Sequence, residues 1–444
     1  MNRRQSEPSV YLHILGCDKN RVDGETLLWH LDKAGFSLSD VPKGVDVIVV
    51  NTCAFIESAK REAVDKILEL AACKPRLLVV TGCLAERYRE QLKSQLPEAG
   101  LIWGVSNYAQ LPDVIRRELG GSAPRTAPQN TVIQACQSGR ILTTPPHYAY
   151  LKISEGCDNN CSYCAIPKIR GRYTERSVNG LVEEASSLID GYGVSEINLV
   201  AQDVTRFSEL IKLLEKLTAL NVKRVRLLYC YPELLTPELI NYVANNPKMC
   251  DYFDIPMQHV SDKILAAMRR RTNGSQHRRL IESIRKANAK TAIRSTFIAG
   301  FPGENEADFA ELAAFLQEYQ LDYAGFFAYS DEDGTDAAQF SGKVPKRTTA
   351  SRVKKLEQIQ SAIMQAKAKR AVSGTAEVLL DGVDMQKGGF YGRTQYQAPE
   401  VDTVVWLRSK TPLRQGQIYT ATVTGTDGLD LVARISGDIN HEPT

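Results

Sequence analysis

What most constrains this chain is a repeated alternation of two hydrophobic periods. Between 11 and 119, the apolar runs YLHILG, VDVIVVN and RLLVVTG alternate with segments of helical spacing, such as DGETLLWHLDKAG and SAKREAVDKILELAA. Short strands separated by helices pair in parallel, so this region predicts a parallel α/β sheet domain. The stretch from Gly120 to Pro146, rich in Gly, Pro, Ser and Thr, reads as a linker. A second series follows, with YAYLKIS, EINLVA, RVRLLY, YFDIPM, AIRSTFIAG and YAGFFAYS as strands and VNGLVEEASSLID, SELIKLLEKL and EADFAELAAFLQEY among the helices. Six βα units in a row predict a partial parallel (βα)6 barrel. Residues 350–371 predict a basic amphipathic helix, and from 375 short Val-, Leu- and Ile-rich runs broken by Gly and Asp predict a small antiparallel β-barrel. The expected fold class is therefore α/β in three parts, 1–142, 143–372 and 373–444.

Composition narrows the function. In 444 residues, 43% hydrophobic and 24% charged, the 55 basic and 52 acidic side chains leave a net charge of +3. That is too weak a field to mark a whole chain as living on a phosphate backbone. No run of eighteen uncharged apolar residues predicts a membrane span, and the N-terminal residues show no secretory pattern, so the expected location is cytoplasmic. Ten cysteines in a chain of this length point to metal or redox chemistry in a reducing compartment rather than to a disulfide framework.

Six of the ten cysteines fall into two sets of three along the predicted elements. Cys157, Cys161 and Cys164 have the spacing C-x3-C-x2-C and follow the first strand of the barrel series at its C-terminal end, where parallel βα folds place ligands. The same spacing suits one face of a helix, but the intervening Asp158, Asn159 and Asn160 favour a loop. Zinc is the alternative metal, although structural zinc takes four ligands in paired clusters. Three thiolates suit an iron–sulfur cluster with one iron open to a small molecule. Cys17, Cys53 and Cys83 end YLHILGC, VDVIVVNTC and RLLVVTGC, so a second set of three thiols is expected at the C-terminal ends of parallel strands. Cys73, Cys136, Cys230 and Cys250 share no pattern.

The stretch EGCDNNCSYCAIPKIRG resembles the signature loop of radical S-adenosylmethionine enzymes. That resemblance implies a 4Fe-4S cluster on Cys157, Cys161 and Cys164 and reductive cleavage of S-adenosylmethionine to a 5′-deoxyadenosyl radical. It also implies that Tyr163 lies against the adenine, and that Gly300, Gly303 and Glu304 of STFIAGFPGEN belong to the cofactor-binding glycine motif. Gln202 and Asp203, after EINLVA, stand at a second strand end where they face the same cavity or cap the next helix.

With its second thiol set and terminal barrel, the whole chain is similar to the methylthiotransferases. The stretches LGCDKNRVDGE, NTCAFIESAKREA, TGCLAERY, VRLLYCYP and FDIPMQHVSD resemble the type that modifies an aspartate in the small-subunit ribosomal protein S-twelve. The tRNA-modifying relatives tend to carry Gln-Met where Asp18 and Lys19 stand here. The resemblance implies a second 4Fe-4S cluster on Cys17, Cys53 and Cys83, a TRAM-like terminal barrel, an aspartate β-carbon as the site of methylthiolation, and an electron donor such as a flavodoxin. After AQDVTRF the chain departs from such relatives, for Phe207 and Ser208 run straight into a helix where an insertion is usual. Residues 373–444 carry six Lys and Arg against nine Asp and Glu. An acidic barrel favours a basic protein partner over RNA, with Asp381, Asp384, Glu400 and Asp402 as the candidate docking acids. The runs Arg269, Arg270, Arg271 and Lys343 to Arg347 are the candidate contacts to ribosomal RNA.

Overall fold

The computed structural model of the chain describes residues 7–120 and 139–435. Cys136 and most of the expected linker lie outside the described residues. The described residues divide into two compact units. One draws on Met1–Thr143, Lys152–Gly180 and Ser330–Thr335; the other on Thr144–Leu151, Leu181–Tyr329 and Asp336–Thr444.

The first unit is built on a five-stranded sheet. The strands Ser9–Ile14, Val47–Thr52 and Leu77–Gly82 are neighbours at its centre and pair in parallel. Val47–Thr52 and Leu77–Gly82 are buried at nearly every position, because helices such as Asp18–Lys33 and Glu57–Ala71 supply apolar stripes to the sheet. The end of the expected linker is anchored rather than loose. The buried Glu25 pairs with Arg140 and accepts the Thr143 amide at 2.8 Å.

The second unit holds a six-stranded sheet in the order Tyr323–Ala328, Ala292–Ala299, Met249–Gln258, Arg224–Leu227, Glu196–Val200, Tyr148–Lys152. The pairings along its length from Glu196–Val200 to Tyr323–Ala328 are parallel. An unclosed row of parallel strands in near-sequential order is the predicted partial barrel. The helix Lys346–Ala371 leads from it to a closed five-stranded barrel over Thr375–Ile435. Four pairings of this barrel are antiparallel and one, Val405–Arg408 with Asp430–Ile435, is parallel. Directions cannot alternate all the way round an odd number of strands, so closure requires such a pair.

Candidate functional site

In the first unit the three thiols Cys17, Cys53 and Cys83 follow the C-terminal ends of three adjacent parallel strands. Ile14 is in register with Asn51, and Asn51 with Thr81, so the three chain exits lie side by side. Gly16 shows how tight this edge is. At φ +90° it takes a conformation that favours glycine, and a Cβ there would stand 2.6 Å from Cys53 Cβ and 3.0 Å from Cys53 Sγ. The thiols sense one another. Burial pushes the Cys53 thiol up, and the charges of Cys17 and Cys83 push it further, to about 12. Burial likewise raises Cys83, opposed by the guanidinium of Arg170.

The C-x3-C-x2-C segment belongs to the same unit and is a loop, as its Asp and Asn residues predict. Its base is closed by the short antiparallel pair Ser154–Glu155 and Thr174–Glu175. The Cys157 amide donates to Gly171 O at 3.2 Å, the Asn159 amide donates to Cys157 Sγ at 3.4 Å, and Asp158 accepts the Tyr173 amide at 3.1 Å. Cys157 and Cys161 are buried, whereas Tyr163 and Cys164 are half-buried. All six thiols are free of disulfides.

A buried ionic cluster joins these two parts of the unit, and sequence reasoning missed it. Lys152 bridges Asp23 and Glu155, the latter at 2.6 Å. Arg170, at the end of the helix Ile166–Arg170, also meets both acids, with Asp23 at 2.5 Å and Glu155 at 3.3 Å. Its other nitrogen donates to Asn20 Oδ1 at 3.2 Å and to Cys83 Sγ at 3.3 Å. Burial opposes charge on Glu155, yet Lys152 and Arg170 hold its carboxyl well below the usual range. The available signal was a Lys and a Glu inside YAYLKISEG, charged residues in a run that otherwise reads as buried strand.

The thiol sets fit iron–sulfur ligation by the chemistry of their donors. Each is a group of three thiols outside any disulfide near a strand end, and in the sheet-edge set mutual charge opposes ionisation, which bound iron relieves. Among the described residues no group of three or more His, Cys, Asp or Glu side chains is arranged to hold a single metal ion.

The second unit carries the remaining candidates. Gly300 and Gly303 adopt φ +77° and +85° after the strand Ala292–Ala299. The space a Cβ would need at Gly300 is filled by Thr349 of this chain, while nothing stands within 4 Å at Gly303. Glu304 turns inward and braces the loop, accepting the amides of Gly300 at 2.6 Å and Phe301 at 3.2 Å and pairing with Arg352 at 2.8 Å. Gln202 is half-buried, and the buried Asp203 accepts the Thr205 hydroxyl at 2.7 Å. Asp203 stands at the N-cap of the short turn Val204–Arg206 without a side-chain capping bond.

The docking acids require correction. Asp381 is buried, held by Nε and Nη2 of Arg393 at 2.7 and 2.9 Å and by His147 at 2.7 Å. The Asp402 side chain is buried against Arg294. Glu400 is exposed but accepts the hydroxyls of Tyr148 and Tyr150, and Asp384 accepts the amides of Gln386 and Lys387 in its own turn. The Asp381 and Asp402 side chains are therefore held inside the protein instead of facing solvent, and Glu400 is tied to the sheet through Tyr148 and Tyr150; a count of charges carries no information about exposure. Among the candidate basic contacts, Arg269 pairs with Asp336, and Arg270 is buried over the Tyr231 ring, leaving Arg271 exposed.

Three family models match along the chain: the Radical SAM superfamily over residues 151–316, Uncharacterized protein family UPF0004 over 9–104, and the TRAM domain over 373–435. The chain is 42% identical over 439 residues to the ribosomal protein uS12 methylthiotransferase RimO of Desulforudis audaxviator, covering 96% of each. Its identity to the proteins of the same name from Aquifex aeolicus and Clostridium tetani is 41% and 40%, covering 95% and 94% of this chain and 95% and 96% of theirs. Among solved structures it resembles the radical S-adenosylmethionine methyltransferase TsrM from Kitasatospora setae, with a TM-score of 0.57 at 14% identity over 72% of this chain and 73% of that one. That likeness bears on the fold alone.

Proposed function

We infer the reaction from one premise: this chain belongs to the family of ribosomal protein uS12 methylthiotransferases, radical S-adenosylmethionine enzymes with a TRAM domain. It is a methylthiotransferase, and we assign as its substrate an aspartate of uS12, the S-twelve protein, whose β-carbon receives the methylthio group.

The observation that carries this reading is the placement of two sets of three thiols, none in a disulfide, on one compact unit. Cys157, Cys161 and Cys164 are assigned to the 4Fe-4S cluster of the radical SAM domain, and Cys17, Cys53 and Cys83 to a second cluster that handles sulfur. With S-adenosylmethionine bound, the first supplies a radical able to take hydrogen from an unactivated carbon. The chain's own work is to hold the parts. The paired strands at Ser154–Glu155 and Thr174–Glu175 fix the cysteine loop, and Glu304 fixes the glycine turn through the Gly300 amide. Tyr163, Gln202, Asp203, Gly300, Gly303 and Glu304 are the assigned cofactor contacts, with Glu304 acting through the loop it braces.

Three parts at 1–142, 143–372 and 373–444 carry these roles, with a flavodoxin-type donor as the source of electrons and the cytoplasm as the setting of a ribosomal substrate. A flexible protein loop can present its carbon to such a site directly, whereas a stacked base must first be flipped out. Reconstitution tests the assignment. Purified chain given uS12, S-adenosylmethionine, sulfide and a reductant is expected to methylthiolate one aspartate. Modification of tRNA adenosine under the same conditions, with uS12 unchanged, overturns it.

A further inference from the structure

The geometry points to Arg170 as a positioning residue for the second cluster: its guanidinium, fixed by Asp23, Glu155 and Asn20, presents an N–H to Cys83 Sγ and so tunes the cluster that Cys83 ligates. The inference rests on the two-cluster reading above.

Arg170 is buried, and both edges of its planar fork are engaged. One nitrogen meets Asp23 and Glu155; the other meets Asn20 at 3.2 Å and Cys83 at 3.3 Å. Within the cluster, Lys152 and Arg170 balance the charges of Asp23 and Glu155. The bond to Cys83 is therefore an additional use of the cation. A lysine is a point charge without the fork and cannot reach the acids, the amide and the sulfur in this arrangement. Hydrogen bonds to cluster sulfurs and the local net charge are among the factors that set a cluster's potential. Arg170 also stands six residues after Cys164, at the end of the helix that follows the other cysteine loop. The segment that carries one thiol set thus supplies a ligand-facing donor to the other.

The test uses full-length protein with Cys157→Ala, Cys161→Ala and Cys164→Ala, reconstituted anaerobically so that only the second cluster can assemble. In protein labelled with 15N-arginine, pulsed electron paramagnetic resonance of the reduced cluster should show a nitrogen coupling that disappears in Arg170→Lys. The midpoint potential should shift to more negative values in Arg170→Lys and further in Arg170→Gln, a change that a purely structural role would not order in this way. Iron present without the coupling, or a coupling and potential unchanged in Arg170→Lys, overturns the role of Arg170 alone. Absence of any cluster in the parent protein overturns the two-cluster reading and this inference with it. The coupling in the parent needs no substitution at Arg170, so a variant that fails to fold leaves that arm decisive.

Discussion

The carboxylate of Asp402 lies buried against Arg294, with Oδ1 2.5 Å from Nη1. The Tyr252 hydroxyl and the Ala398 amide complete its shell, each donating to Oδ2 at 2.8 Å. An acid that counts toward a negative surface in the sequence is an internal fastener in the fold. Asp402→Ala leaves the largely buried Arg294 without its partner and is expected to cost about 3–5 kcal/mol. Denaturant unfolding of the variant checks this. Unchanged stability with weakened uS12 binding would return Asp402 to the docking role.

Acid should loosen the same unit through Glu196. Burial pushes its carboxyl up, but Arg393, Arg226 and Arg224 outweigh burial and bring it to about 2 from an ordinary 4.5. A carboxylate depressed in the folded state contributes stability that is complete above the ordinary value and is lost as pH falls from 4.5 toward 2. The shift corresponds to about 3 kcal/mol. Glu196→Gln is expected to be less stable at neutral pH and to show a flatter loss of stability across that window. An identical slope in variant and parent would remove Glu196 from the account.

Much of this was legible in the sequence because hydrophobic period is a local signal. The apolar runs before Cys17, Cys53 and Cys83 are strands, and strand ends in a parallel sheet share an edge, so the thiol set could be read without coordinates. The Asp and Asn residues between Cys157 and Cys161 likewise identified a loop. Exposure was not legible. Asp381 and Asp402 have the same letter as Asp384, and only their arginines, Arg393 on the next barrel strand and Arg294 in the six-stranded sheet, distinguish them. Arg170 and Asp23 were missed for the same reason. Their partners are far apart in sequence, and a charge becomes informative only when burial demands a counter-charge.

Removing the radical loop's thiols separates the first cluster from the second. Cys157→Ala, Cys161→Ala and Cys164→Ala together should lower iron by one cluster and abolish reductive cleavage of S-adenosylmethionine. Iron analysis and chromatography of 5′-deoxyadenosine check both. Continued cleavage would detach the chemistry from this loop.

The complementary variant, with Cys17→Ala, Cys53→Ala and Cys83→Ala, should still cleave S-adenosylmethionine but release no methylthiolated product. Mass spectrometry of the substrate distinguishes the two activities. Methylthio product from this protein would show that sulfur reaches the substrate by another route.

Intact-mass analysis of uS12 from cells with and without this chain is the decisive measurement. Action of this chain on uS12 predicts a methylthio increment on one aspartate when the chain is present, its loss when the chain is absent, and no change in tRNA nucleosides. An unaltered uS12 mass together with loss of a methylthiolated adenosine would contradict it.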